Sequence, residues 1–565
     1  MTVAKDDWTI MVYMASDNNL SVDMAYALKD IREAVKDAKG KINLFAYFDG
    51  YTPDVPTSYF DFSEYDNPRR LLSVEVEGKA FPVRNNGNVN ENSAQARSVL
   101  NFVDWCVNKA EHDGEMGRRA ENYALIFSGH SFGFQNIGLM QDESSNYYLS
   151  RKKLQWVLKR MTDSEDSLGK GEPILLGKPI SILGFDSCVM GMLEVGYEFK
   201  DFATTMIASE GTVANAGWTY GKLLGRIARG DGNTVAATAK NLVVDFIADQ
   251  ANYTIGGVSI DMAAWDMTKI QDVAAAFQLL ATDLNNCFAD ENSRLYKQMK
   301  RALLQVHWSC QSYMYDQNVD IKDFCGLLLK EAHSLEDELS RGETTMMSDI
   351  KRHCLNVMAR VDECVILSGF CGGAFQYSNG MSLFFPWTWM AYNVSQESYE
   401  SLDFVNVTRT EQSAGNVWNK FLKNYLGNVS LRPSQSPKRS IKSEIGYVLE
   451  LGEVEGSDLQ KLNEPFIYFN DEIPKDPKTK IPPNAGTKIP PNAGTKIPPN
   501  AGTKIPPNVG TRIPQDPYWR MGGGLGLFFR YFMEIKNIDA PWYIAGFTKD
   551  PDVGERLTQA ANPKS

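Results

Sequence analysis

Between Trp8 and Ser209 the chain alternates short apolar runs with helix-spaced segments, and this alternation restricts it to a mostly parallel sheet covered on both faces. Trp8 to Met14 (WTIMVYM), Ile42 to Phe48 (INLFAYF), Tyr123 to Phe127 (YALIF), Ile180 to Phe185 (ISILGF) and Thr204 to Ser209 read as buried strands. They are rich in β-branched and aromatic residues. Leu20 to Lys39, Ser93 to Lys109, Leu149 to Met161 and Met190 to Phe199 carry apolar residues at helical spacing. Asp17, Asn18 and Asn19 mark a turn after the first strand.

Residues 220–360 read as largely helical, most clearly Thr234 to Gln250 and Lys269 to Phe288. Gly380 to Pro386 (GMSLFFP) reads as a strand returning to the sheet, and Val417 to Tyr425 as a closing helix. Residues 1–427 are therefore expected to form the main domain. Residues 428–565 differ in character: Ile445 to Leu451, Phe466 to Phe469 and Leu527 to Ile535 suggest a small C-terminal β-rich domain. A Pro-rich repeat over 479–514 interrupts it. TKIPPNAG starts at Thr479, recurs from Thr487 and Thr495, and continues in variant form from Thr503 and Thr511. Proline at that density blocks helix and central strand and favours an extended surface loop.

Composition narrows the function. With 565 residues and 43% hydrophobic content the chain can build a large core. Its net charge of −12 argues against nucleic acid as a partner. No run of 18 apolar residues occurs, so no membrane span is expected. Met1 to Asp7 shows no apolar leader, which makes the expected compartment the cytoplasm unless a signal was trimmed. The eight cysteines have no disulfide-framework spacing.

Two strand ends carry chemistry. Tyr123 to Phe127 leads into Ser128-Gly129-His130-Ser131, and Ile180 to Phe185 into Asp186-Ser187-Cys188. Functional groups collect beyond the carboxyl ends of parallel strands. If the two strands are neighbours, an imidazole and a thiol meet there, and the imidazole raises the thiolate fraction. A cysteine after a strand is more often a buried small hydrophobe; the Gly-flanked histidine, one of five in the chain, gives this one weight.

Gly129 to Gly133 also fits G-x-S-x-G, the nucleophile elbow of serine esterases, with Ser131 as nucleophile. An elbow requires a helix at once, and FQNIGLMQDESSNYY has no helical spacing. Histidine and cysteine spacings give no tetrahedral zinc set, and neither an EF-hand nor a phosphate loop is present. No metal or other cofactor is expected from these spacings.

The segments WTIMVYMASDNNL (8–20), FSGH (127–130), GFDSCVMGMLEVGYEF (184–199), ASEGTVANAGWTY (208–220) and NGMSLFFP (379–386) occur in the order seen in the clostripain family of cysteine peptidases. That family belongs to the caspase–legumain–gingipain clan, and the resemblance covers roughly residues 8–425. It implies a caspase-like α/β/α sandwich and a peptide or protein substrate. It further implies Cys188 as nucleophile, His130 as its partner, and an oxyanion held by the backbone N–H groups of Cys188 and Ser131. Asp186 matches a position at the floor of a pocket for Arg or Lys, with Glu210 a second substrate-binding position. The clan usually has glycine where Ser131 stands, and the family often has an acid where Ala216 stands. The resemblance implies self-cleavage within Thr162 to Lys178, which holds Lys170 and Lys178, and leaves calcium open, since some relatives use it. An inactive caspase-like scaffold binding partners through the repeat is the non-enzymatic alternative.

Overall fold

The computed structural model describes residues 6–36, 42–51, 55–72, 90–112, 115–135, 139–163, 173–230, 234–250, 259–313, 317–335, 339–406, 417–429 and 545–547. Its strands are β1 (Asp6–Ser16), β2 (Ile42–Gly50), β3 (Ser58–Asp61), β4 (Arg69–Leu72), β5 (Glu111–His112), β6 (Glu115–Met116), β7 (Ala120–Ser128), β8 (Ile180–Asp186), β9 (Ala203–Ala208), β10 (Ile260–Asp266), β11 (Ser312–Tyr313), β12 (Asn318–Asp320), β13 (Val365–Cys371), β14 (Ser382–Phe384) and β15 (Ala545–Phe547). The main sheet runs β15-β13-β10-β9-β8-β7-β1-β2-β3-β4. Its centre, β2-β1-β7-β8-β9, is parallel. Antiparallel strands extend it on both sides.

Alternate residues of the central strands feed two separate cores. Met11, Tyr13, Phe45 and Tyr47 point to one face, and Ile10, Val12, Leu44 and Ala46 to the other. The helices Ser21–Glu33, Tyr220–Ala228 and Val235–Gln250 cover the second face. Ala96–Asp104, Arg151–Thr162, Leu193–Phe199, Ile270–Cys287, Arg294–Ser309, Ile321–Leu335, Arg341–Cys364 and Trp418–Val429 cover the first. Both faces are dry, so the strands need no polar alternation; the α/β/α sandwich follows.

Two strand assignments change. Residues 220–360 are not helical throughout: β10 lies inside them and brings the chain back to the sheet beside β9. Gly380 to Pro386 contributes β14, which pairs with β12 in a separate three-stranded sheet and not in the main one. The TKIPPNAG repeat and the three β-like stretches at 445–451, 466–469 and 527–535 lie outside the described residues.

The order of the parallel strands sets where a site can form. From β1 the chain steps to β2 on one side; from β7 it steps through β8 to β9 on the other. The carboxyl ends of β1 and β7 therefore flank the topological switch point, where open α/β sheets bind ligands.

Candidate active site

The two candidate loops leave the sheet in register. Ser128 on β7 pairs with Asp186 on β8. His130 and Cys188 each lie two residues beyond that pair, in the loops that leave two adjacent strands spaced about 4.8 Å apart. The loops are joined directly. Gly129 N–H donates to the Asp186 carbonyl at 3.3 Å, and the Ser131 hydroxyl donates to the Cys188 carbonyl.

Cys188 is fully buried. The Val213 N–H donates to its Sγ at 3.2 Å, and the thiol faces the Val213 carbonyl at 3.6 Å. The chain after β9 thus lies over the sulfur. It is pinned there by Val189 N–H to the Gly211 carbonyl at 2.8 Å and Gly191 N–H to the Ser209 carbonyl at 2.7 Å. Val189 has φ 60°, in the left-handed region that a β-branched residue rarely adopts. Such strain, on the order of 1–3 kcal/mol, persists where neighbouring contacts hold it, commonly beside functional groups.

His130 is buried, and its carbonyl accepts Met140 N–H at 2.9 Å. Its Nε2 lies 2.6 Å from Asn19 Oδ1, beyond β1. With a carbonyl oxygen accepting, Nε2 carries the proton and Nδ1 is the basic nitrogen. Asn19 thus sets the tautomer from across the switch point.

Asp186 is buried at the end of β8. Its Oδ1 accepts Trp218 N–H at 3.1 Å, and its Oδ2 accepts the Ser128 and Tyr220 hydroxyls at 2.9 and 2.7 Å. Glu210 sits apart from this group. It is fully buried and its carboxyl receives Gly380 N–H at 2.7 Å. Burial pushes that carboxyl well up, and the charges of Asp320 and Asp261 push it further. Asp261 accepts the N–H groups of Glu210 and Gly211 at 2.7 and 2.8 Å, so it anchors the segment that covers Cys188.

Ser131 does not form a nucleophile elbow. Its hydroxyl is buried and committed to the Cys188 carbonyl, and among the described residues no helix follows before Arg151. His307 stacks between Phe385 and Trp387, with ring centroids 4.2 and 3.8 Å away, as a packing residue. In the sequence Asn19 marks only part of a turn, and nothing singles out Val213. The signal available was the Asp-Asn-Asn run closing a buried strand.

The sequence profile of the clostripain family matches residues 12–425. Clostripain of Hathewaya histolytica is 24% identical over 424 residues, spanning 67% of this chain and 74% of that protein. Among solved structures, an inactive zymogen C11 protease from Parabacteroides distasonis shares 17% identity at a TM-score of 0.47, covering 72% of this chain and 98% of its own. A secreted C11 cysteine protease from Bacteroides thetaiotaomicron, in complex with an irreversible peptide inhibitor, shares 15% identity at a TM-score of 0.47. The match covers 70% of this chain and 97% of that one.

Proposed function

The chain belongs to the clostripain family and is a cysteine peptidase, and from that premise we propose that Cys188 is the nucleophile and His130 its acid–base partner. The observation that carries this reading is the register of β7 and β8, which sets both residues two positions beyond the Ser128–Asp186 pair. The Cys188 thiolate attacks the scissile carbonyl, and the tetrahedral oxyanion takes backbone N–H groups of Cys188 and Ser131. The C–N bond breaks as imidazolium protonates the departing amine. Imidazole then takes a proton from the water that hydrolyses the thioester, freeing the acid and the thiol.

Asp186 supplies a preference for Lys or Arg at P1. The Trp218 N–H and the Ser128 and Tyr220 hydroxyls hold its carboxyl at the end of β8, where it would make a charge-assisted bond to a basic side chain. With Ala216 where relatives often carry an acid, and Glu210 turned to Gly380, that preference rests on Asp186. The cover of Val213 over Sγ fits a latent chain that must open before substrate reaches the sulfur. Self-cleavage is assigned to Lys170, within residues 164–172 outside the described part. Lys178 stands two residues before β8, at the strand end opposite Cys188, about 20 Å away by strand rise.

A peptide library run on the wild type and on Cys188→Ala tests the reading. Cleavage after Lys and Arg is expected, absent in Cys188→Ala and in His130→Ala. Cleavage after apolar residues would remove Asp186 as the determinant; activity surviving in Cys188→Ala would remove the mechanism. Mass spectrometry of the purified chain should show cutting at Lys170 in the wild type alone.

A further inference from the structure

The arm that gives Asp186 two of its donors is itself held from outside the site. Trp218 N–H and the Tyr220 hydroxyl donate to Asp186 at 3.1 and 2.7 Å. Tyr220 opens the helix Tyr220–Ala228, so the placement of that helix sets where the hydroxyl lies. The first-turn N–H groups of a helix need acceptors that the helix does not supply. Thr219, at the N-cap, makes no side-chain capping bond. An acceptor comes instead from 191 residues away: Asp30 Oδ2 takes Gly221 N–H at 2.7 Å.

Asp30 lies in the helix Ser21–Glu33, and the two helices meet through glycine. A Cβ at Gly221 would collide with Asp30 Oδ1, and a Cβ at Gly225, one turn on, would stand 3.3 Å from the Ala34 carbonyl. Position 221 is therefore closed to any larger residue unless the carboxylate leaves. Asp30 is half-buried. Burial pushes its carboxyl up, the Gly221 bond pulls it down, and the charges of Asp249 and Glu33 push it up again. The partial positive charge of a helix N-terminus favours a carboxylate there. A turned Thr219 hydroxyl would cap the helix without burying an acid beside two others. What the Asp30 bond adds is a fixed position relative to the neighbouring helix.

We propose that Asp30 is a positioning residue for P1 recognition: it locks the Trp218–Tyr220 arm, and through that arm Asp186, in the place where a basic side chain is met. The proposal rests on Asp186 being the P1 determinant. The helix that carries Asp30 begins at Ser21, two residues after Asn19, whose side chain meets His130. Asp30 follows Ser21 by about two and a half turns. One rigid rod thus carries both links, one to the His130 ring and one to the arm that holds Asp186, and it fixes the distance between them.

Paired peptides that differ only in arginine or citrulline at P1, cleaved by the full chain, test the role. Citrulline has the shape of arginine without its charge, so the ratio of the two kcat/KM values reads the contact with Asp186. The fraction of active chain cancels from that ratio, and a general defect of folding or maturation leaves it unchanged. Asp30→Ala should lower the ratio by roughly tenfold, since misplacement by about 1 Å costs up to about 10²-fold. Asp30→Asn, whose amide oxygen can still accept Gly221 N–H, should stay close to the wild type. Gly221→Ala should reproduce Asp30→Ala, and adding it to Asp30→Ala should lower the ratio little further. It replaces Asp30→Ala should that variant fail to fold by circular dichroism or cleave neither peptide. Asp186→Asn is measured alongside. A ratio that collapses in Asp186→Asn but is unchanged in Asp30→Ala overturns the role of Asp30 and leaves Asp186 standing. A ratio unchanged in Asp186→Asn overturns the P1 reading and this proposal with it. Asp30→Asn falling as far as Asp30→Ala overturns the Gly221 bond as the link.

Discussion

His130 is oriented by an amide, and a neutral acceptor fixes a ring without adding charge to it. Asn19 Oδ1 sits 2.6 Å from Nε2 and makes that nitrogen the protonated one. With His130 in its proposed acid–base role, the expected contribution is roughly 10²–10⁴-fold, and most of it needs the correct tautomer in the correct direction. Asn19→Ala should therefore lower kcat by roughly ten- to a hundredfold with KM almost unchanged and an unchanged melting temperature. Steady-state kinetics and a thermal melt separate this from a folding defect, which would lower both. The sulfur and the ring were legible in the sequence, because each follows an apolar run by two or three residues. Asn19 was not, since nothing in an Asp-Asn-Asn turn says which amide will meet a ring 111 residues further on. Val213 was equally silent: it contributes a backbone N–H, and any residue carries one.

At the level of elements, the helices Arg151–Thr162 and Leu193–Phe199 are tied by a buried ion pair between Arg151 and Glu198. Arg151 also donates to the Ser401 hydroxyl at 2.9 Å, and Glu198 accepts Phe404 N–H at 3.0 Å, so one pair gathers three segments. Burial pushes the Glu198 carboxyl up and the Arg151 guanidinium down, so desolvation outweighs their attraction. Removing one partner leaves the other charged in a dry site. Arg151→Met should cost about 3–5 kcal/mol, whereas Arg151→Met with Glu198→Leu should cost much less. Denaturant melts of both variants decide it; equal losses would mean the pair itself is favourable. The five central strands are legible in the sequence, each a short, mostly apolar run. The sequence hid β10 and β13 because Ile260–Asp266 reads IDMAAWD, as helical as it is strand-like, and Val365–Cys371 follows a long helix with no Gly or Pro between. Their edges are settled by pairing with β9 and with each other, a long-range choice.

Across the molecule, buried carboxylates join the main sheet to the small one. Glu194, in the helix after Cys188, accepts Phe384 N–H on β14 at 2.9 Å and the Tyr399 hydroxyl at 3.2 Å. Asp320 on β12 accepts the N–H groups of Asp323 and Asn379 at 2.8 and 2.5 Å. No pattern reveals such groups: acids read as surface residues, and their burial follows only from loops that close over them. Burial pushes Glu194, Asp261 and Asp320 each up to about 7. A carboxyl raised on folding binds its proton more tightly in the native state, so its contribution is complete below about pH 4 and is lost as pH rises through about 7. The fold should therefore be most stable in mild acid and weaken toward pH 8.5. For Glu194 alone, the loss between about pH 5.5 and 8.5 is roughly 2 kcal/mol, from about 1.4 kcal/mol per unit of pH. Glu194→Gln cannot ionise, yet its side-chain oxygen can still accept from Phe384 and Tyr399. Melts of Cys188→Ala with and without Glu194→Gln, across that range, should show a shallower fall in the double variant and a gain of stability at pH 8.5. Parallel curves would place the titration elsewhere and leave Glu194 ionised in the native protein at neutral pH.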